Sequence, residues 1–216
     1  MLFRILTDAV APFLIFAFIM LLINVLIKGG GKKYYKNKQA FLDAEHSANF
    51  ARKRDIPDEL FCRVNTDMLT WISYPDTTEY SRLNSLLQKA VKKSQNPMMH
   101  LDPPKKNIDL KLEFGAVNLE KIIIYEEHYE QYIRALSDLA QELFNLNLKK
   151  DAESVLLEAI NLRSPIFKPY QLITDIYLSE NDKTKLMDIK KRIGNENIIS
   201  DETLINKVSD YIDGHI

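Results

Sequence analysis

One long uncharged stretch near the N-terminus restricts what this chain can fold into more than any other feature of its sequence. The stretch, AVAPFLIFAFIMLLINVLI at residues 9–27, holds thirteen Leu, Ile, Phe or Val residues. A helix of this length spans about 28 Å, close to the ~30 Å hydrocarbon thickness of a bilayer. Those thirteen side chains favour insertion by roughly 4–8 kcal/mol. The sequence therefore predicts one transmembrane helix at residues 9–27, inside an anchor segment at residues 1–28, with the lipid bilayer as its partner.

The charges that flank this stretch predict its orientation. Only Arg4 and Asp8 precede it, whereas five lysines follow it within residues 28–38. Because positively charged flanks stay on the cytoplasmic side, we expect the N-terminus outside the cell membrane and the remaining domain in the cytoplasm. A cleaved signal peptide is the alternative, but it has a shorter apolar region and no dense lysine cluster after it. Asn24 offers a hydrogen bond to a second helix, and the sequence leaves dimerisation of the anchor open.

Composition narrows the class of the remaining chain. The net charge of −1 and the pI of about 6.4 provide no basic field that attracts nucleic acid. Cys62 is the single cysteine, which excludes a disulfide within the chain and fits a reducing compartment. Six Gly and eight Pro are few for a turn-rich all-β fold. The sequence therefore predicts an all-α protein.

The chain after the anchor begins with a basic segment. Residues 29–55 are predicted as a juxtamembrane stalk, in which residues 36–54 form a helix that either continues the anchor or lies on the membrane surface. The glycines and lysines at residues 29–33 lack the Gly and Ser/Thr positions of a phosphate-binding loop and indicate a hinge. Residues 55–59 either end the stalk helix or cap a new one.

Residues 56–117 are predicted as an irregular segment with one helix at residues 77–93. Asp76 and Glu79 have the spacing of a capping box at its start. Residues 108–114 alternate as a strand does, but the chain offers no partner strand for their backbone groups. We therefore predict a short helix or extended linker there, ending at Gly115. Four apolar residues earlier in the segment are expected to dock on the helical core: Phe61, Met68, Leu69 and Trp71.

The strongest periodicity after the anchor lies in residues 118–194, which are predicted as a domain of helical hairpins. A long helix is expected from about Asn118 to Asn145, followed by helices near residues 150–162, 167–178 and 184–193. Residues 195–216 are expected to form a C-terminal capping helix with Ser200 as its N-cap. The core-facing positions of the long helix are Leu119, Ile122, Ile123, Tyr129, Tyr132, Ile133, Leu136, Leu139, Ala140, Leu143 and Phe144.

Two hairpins within residues 133–193 resemble the tetratricopeptide repeat family. The matching positions of the first hairpin are Leu136, Leu139, Ala140 and Leu143 on one helix, with Ala152, Leu156 and Ala159 on the next. The second hairpin begins with a matching Tyr170, Ile173 and Tyr177, but Leu186 and Lys190 depart from the pattern. The resemblance implies a right-handed α-solenoid fragment. Because solenoids usually need three units, it also implies capping helices at both ends.

The same resemblance implies a concave protein-binding face lined by the first helix of each hairpin. Its positions on this sequence are Arg134, Ser137, Gln141, Asn145, Lys168, Gln171 and Asp175. This set lacks the Lys and Asn pattern by which chaperone-binding repeats hold a terminal carboxylate, so that class of partner is not expected. The whole chain, including NFARKRDIPDELF and GAVNLEKI, is also similar to anchored proteins of Clostridia-type bacteria, a resemblance that implies no function.

No residue pattern predicts catalysis, a metal site or a cofactor. The four histidines lack the spacing of a zinc-binding helix, and Cys62 fits a small apolar plug better than a nucleophile. We therefore expect a membrane-tethered adaptor or scaffold, not an enzyme, that binds a protein partner through the face residues. A structural or self-associating membrane protein and an unrecognised enzyme are the alternatives. The oligomeric state and the identity of the partner are left open.

Overall fold

The computed structural model of the protein describes residues 16–21, 23, 36–194 and 200–215. Across these residues the protein is all-α, as the composition predicts, and the one pairing of extended residues is an isolated antiparallel bridge between Phe61 and Met99. Most of the predicted membrane helix at residues 9–27 lies outside the described residues. Its described part is helical and exposes apolar side chains. None of the helices in the described ranges has the length and apolar character needed to cross a bilayer.

The helices follow one another with short connections. Residues 36–49 are helical and form α1. The helices after it are α2 (Asp67–Trp71), α3 (Ser81–Ser94), α4 (Asn107–Phe114), α5 (Leu119–Asn145), α6 (Lys149–Asn161), α7 (Lys168–Ser179), α8 (Lys183–Ile193) and α9 (Glu202–Asp213). The long helix and the three shorter ones after it lie within a residue or two of their predicted positions.

Two hairpins stacked on one another build the core. Helix α5 packs against α6, and α7 packs against α6, α5 and α8. Ala140, Ala152 and Ala159 are fully buried, and their small side chains let α5 and α6 approach closely. Helix α3 covers α5 at one end of the stack, and α9 packs on α7 and α8 at the other. Both ends of the stack are therefore covered by helices of the same chain.

Three successive helices end in the same type of corner. Asn147, Arg163 and Asn181 follow α5, α6 and α7, and each has a left-handed backbone with φ between 57° and 63°. At each corner the next residue donates its N–H to a carbonyl five residues back, as Ser164 does to Ala159 at 3.0 Å. This is the Schellman arrangement, which satisfies the last free carbonyls of a helix.

The N-terminal segment is docked on α4. Lys111 on α4 forms an ion pair with Glu45 of α1, and its ammonium group also donates to Asn49 at 2.8 Å. The backbone N–H of Arg54 donates to Phe114 at 3.1 Å. The helix predicted at residues 36–54 of the stalk is therefore shorter and spans residues 36–49. It packs against the domain. Residues 29–35 lie outside the described part of the chain.

Two predictions of helix caps are wrong. Helix α3 begins at Ser81 without a side-chain cap, because residues 77–80 form a turn, so Asp76 and Glu79 form no capping box. Asp201, not Ser200, caps α9, and it accepts N–H groups from Thr203 and Leu204. Of the two alternatives predicted for residues 108–114, the structure has the short helix, and Leu110 and Phe114, four residues apart, are its buried pair.

Two apolar residues expected in the core are exposed. Trp71 at the end of α2 is 83% exposed, and Ile123 near the start of α5 is 44% exposed. Their neighbours Leu69 and Ile122 are buried and fill the positions that face the core. Apolar character alone did not indicate which of two nearby residues turns inward.

Candidate protein-binding face

Four of the seven predicted face residues lie on α5, and three of these reach the surface. Arg134 is exposed and forms an ion pair at 3.8 Å with Glu130 one turn before it. Gln141 donates to the side-chain oxygen of Asn145 at 3.1 Å. These side chains are held only by neighbours on their own helix. Contact with a partner therefore requires little rearrangement.

Ser137 lies apart from this accessible group. It is 1% exposed, and its hydroxyl donates to the Ile133 carbonyl at 2.8 Å. A hydroxyl that donates a hydrogen bond to the carbonyl four residues back needs no partner outside the helix. Ser137 therefore belongs to the packed interior of α5, and a partner on the surface does not contact it.

The three face residues on α7 lie beside neighbouring helices. Lys168 forms an ion pair with Asp138 of α5 at 3.1 Å. Asp175 accepts a hydrogen bond from the Tyr211 hydroxyl of α9 at 2.7 Å. Gln171 lies between them on α7 and is half-buried. The structure thus brings α5, α7 and α9 side by side through polar contacts along one surface.

The same polar row continues onto α3. Arg82 forms an ion pair with Glu142 of α5 at 3.1 Å, and Lys93 donates to Gln131 of the same helix. Sequence reasoning missed Asp138, Glu142 and Tyr211 as members of this surface. Their partners are 30 or more residues away, so no local spacing could have indicated them.

The charge pattern of this face is mixed. Each carboxylate named above, Glu130, Asp138, Glu142 and Asp175, lies beside a cation or a hydroxyl donor. The two exposed ion pairs, Arg134–Glu130 and Lys168–Asp138, contribute only about 0–1 kcal/mol each, so a partner can replace them at small cost. The face therefore fits a polar surface carrying both signs of charge better than a strongly acidic or basic one.

A separate cleft lies where three distant segments meet. Residues 59–63, His100 and residues 161–163 line an open cleft of about 360 Å³. Burial raises the pKa of the Cys62 thiol to about 11 and lowers the pKa of His100. At neutral pH the thiol therefore stays protonated and the imidazole uncharged. A thiol in that state is a poor nucleophile.

The rest of the described structure adds no cluster of metal-ligating residues. Within residues 16–21, 23, 36–194 and 200–215, no group of three His, Cys, Asp or Glu side chains is arranged to hold a metal ion. The His128 ring nitrogen lies 2.9 Å from the carbonyl of Pro97.

Comparisons of the chain with protein-family models, with curated proteins and with solved structures found no match.

Proposed function

We propose that this chain is a membrane-anchored adaptor or scaffold whose α5–α7 face binds a protein partner at the cytoplasmic side of the membrane. The observation that carries the proposal is the polar row on two stacked hairpins, where Arg134, Gln141 and Asn145 make their side-chain contacts within α5 and Gln171 lies half-buried beside Tyr211 of α9. Rigid helices that present such a row are suited to recognition because binding orders few additional groups.

The stacking supports a tetratricopeptide-like arrangement. In that arrangement α5–α6 is the first repeat, α7–α8 is the degenerate second one, and α9 takes the place of the first helix of a third. The fully buried alanines of α5 and α6 and the buried Tyr170 at the start of α7 agree with the family's small and large positions. Helices α3 and α9 then act as the caps that a short solenoid needs.

The apolar run at residues 9–27 supports the anchor, and the lysines after it support the orientation. A tether that confines the face to the membrane surface raises its effective concentration toward a partner in the same membrane. A modest intrinsic affinity of the face is then sufficient for function.

The proposal is tested by recovering partners with the full-length chain from detergent-solubilised membranes. The test variant carries Gln141→Lys and Gln171→Lys on the face. Its matched control carries Thr184→Lys and Met187→Lys, two exposed positions of α8 that add the same charge. We expect one protein at near-equal stoichiometry with the wild type and the control, and a loss of at least tenfold with the face variant. Equal recovery by all three chains, or nothing above background, contradicts the proposal.

The orientation is tested by labelling a single cysteine in intact cells. Ser154 is exposed on α6, so Ser154→Cys in a Cys62→Ser background offers one accessible thiol. A membrane-impermeant maleimide should label it only after the cells are permeabilised. Labelling of intact cells would place the domain outside.

A further inference from the structure

The corner after α6 differs in one respect from the two equivalent corners. Asn stands at the left-handed position after α5 and after α7, whereas Arg163 stands there after α6, with φ 63°. Among residues other than Gly, Asn adopts this conformation several-fold more readily than most. A strained backbone at one of three otherwise equal corners indicates that the side chain serves another purpose there.

That side chain lines the cleft between the corner and the segment Glu59–Arg63. Arg63 lines the same cleft, together with Asn161 and His100. Neither Arg63 nor Arg163 forms an ion pair within the described part of the chain. The single carboxylate of the lining is Glu59, and it is exposed to solvent, as are both arginines. The rim of the cleft therefore carries two guanidinium groups against one carboxylate, a net positive charge.

The wall of the cleft is fixed in place. The Tyr129 hydroxyl donates to the carbonyls of Leu162 and Arg163, both at 3.0 Å. The His100 ring stacks on Tyr129 with a centroid distance of 4.4 Å. Arg192 donates to the side-chain oxygen of Asn161 at 2.7 Å. The corner thus holds its shape without a ligand, as a pre-formed binding site does.

We propose that this cleft binds a small molecule carrying a phosphate group, with Arg163 and Arg63 on the phosphate oxygens. A planar guanidinium donates two parallel hydrogen bonds to an oxyanion. A phosphate monoester has three terminal oxygens, so it can accept from both arginines and still accept from the Asn161 amide. A carboxylate, with two oxygens, leaves part of this donor set unused.

The remainder of the ligand is organic, because the cleft is far larger than one phosphate. Its volume of about 360 Å³ falls within the range typical of small-molecule sites. Leu60, Phe61 and Leu162 provide apolar contact, and the uncharged His100 ring can offer one donor and one acceptor. The phosphate can belong to a soluble metabolite or to a lipid headgroup, and both sources present the same group to the arginines.

The test measures binding to the full-length chain in neutral detergent by isothermal titration calorimetry. The probes are inorganic phosphate, ribose 5-phosphate, acetate, and mixed micelles containing phosphatidic acid. We expect saturable binding of a phosphate probe and at least tenfold weaker binding of acetate. If only the phosphatidic acid micelles bind, the source is a lipid headgroup. If ribose 5-phosphate binds more tightly, it is a soluble metabolite.

The informative variant is Arg163→Asn, since Asn suits the backbone of this corner. We expect its Tm to equal or exceed that of the wild type, while its affinity for the phosphate probe falls at least tenfold. Arg63→Gln should weaken binding in the same way. Arg52→Asn, which removes an exposed guanidinium from the segment after α1, is the matched control and should bind as the wild type does.

Two results would overturn the proposal. One is the absence of saturable binding by any phosphate probe to the wild type. The other is equal affinity of the wild type and Arg163→Asn. Arg163→Asn should remain folded, because Asn suits the left-handed backbone at this position. A lowered Tm for this variant would contradict the backbone strain inferred for Arg163.

Discussion

Gly115→Ala is the substitution whose effect can be worked out most fully from the structure. Gly115 joins α4 to α5 with φ 87° and ψ 147°, a region that essentially only Gly occupies. A Cβ at this position would lie 2.7 Å from the Cα of Lys53 and 3.0 Å from the carbonyl oxygen of Arg52. Both contacts are with backbone, so no side-chain rotation can relieve them.

The expected loss has two parts. The backbone conformation costs about 1–3 kcal/mol with any other residue. Relief of the clash requires residues 52–54 to move away from α4. That movement breaks the 3.1 Å hydrogen bond from Arg54 to Phe114 and the 2.6 Å bond from the Asn118 side chain to the Arg54 carbonyl. At about 0.5–1.5 kcal/mol for each bond, the total loss in the free energy of unfolding is about 2–6 kcal/mol.

Thermal unfolding of the full-length chain measures this loss. One kcal/mol shifts the Tm of a domain of this size by about 2–4 °C, so a decrease between roughly 4 and 24 °C is expected. Hydrogen exchange should show faster exchange at residues 45–54, with the amides of α6 and α7 still protected. Gly194→Ala is the matched control, because its φ is −71° and an added Cβ meets nothing closer than 3.4 Å. A Tm within 2 °C of the wild type for Gly115→Ala would refute the reasoning.

Three further predictions concern single groups. Burial raises the pKa of Glu158 in the folded state, so the folded chain holds that proton more tightly than the unfolded chain and stability falls as the pH rises through this range. Glu158→Gln keeps an acceptor for the Asn65 N–H. The difference in Tm, variant minus wild type, should increase from pH 4 to pH 7. A difference that stays constant with pH contradicts this prediction. Cys62, with its pKa raised from 9.0 to about 11, should react with iodoacetamide about a hundredfold more slowly than a free thiol until the chain unfolds. Trp71, the single tryptophan, should show water-like emission and equal acrylamide quenching in native and denatured protein, and a blue-shifted native spectrum would contradict its exposure.

The helices that could be predicted from the sequence are those with a sustained local signal. Apolar residues recur every third or fourth position through α5 and α6, and this periodicity depends only on residues near one another in the chain. Residues 108–114 alternate as a strand does, but they are helical. The described residues contain no second strand that could pair with their backbone N–H and C=O groups. The sequence thus excluded a strand there, but it did not decide between a short helix and an extended linker.

The features that sequence reasoning missed depend on distant contacts. Asp175 was expected to face a partner, yet the Tyr211 hydroxyl 36 residues later donates to it. The turn at residues 77–80 delays α3 beyond its capping signal, and Asn84 donates back to the Pro75 carbonyl at 3.3 Å. Spacing along the chain carries no information about such pairs. The cleft beside Arg163 was missed for the same reason, because its walls come from three segments 40 or 60 residues apart.

The two ends of the helical stack decide where a partner can bind. Helix α9 buries Leu204, Val208 and Ile212 against α7 and α8, while Asn206 and Asp210 on its other side are exposed. Helix α3 buries Leu83 and Ala90 and likewise exposes polar residues. An additional hairpin would need an apolar face at one of these ends, and each apolar stripe is already used within the chain. A protein partner of this stack is therefore expected to lie across the row of helices and not to extend it. For that reason lysines at residues 141 and 171 test the proposed function more directly than changes in either capping helix.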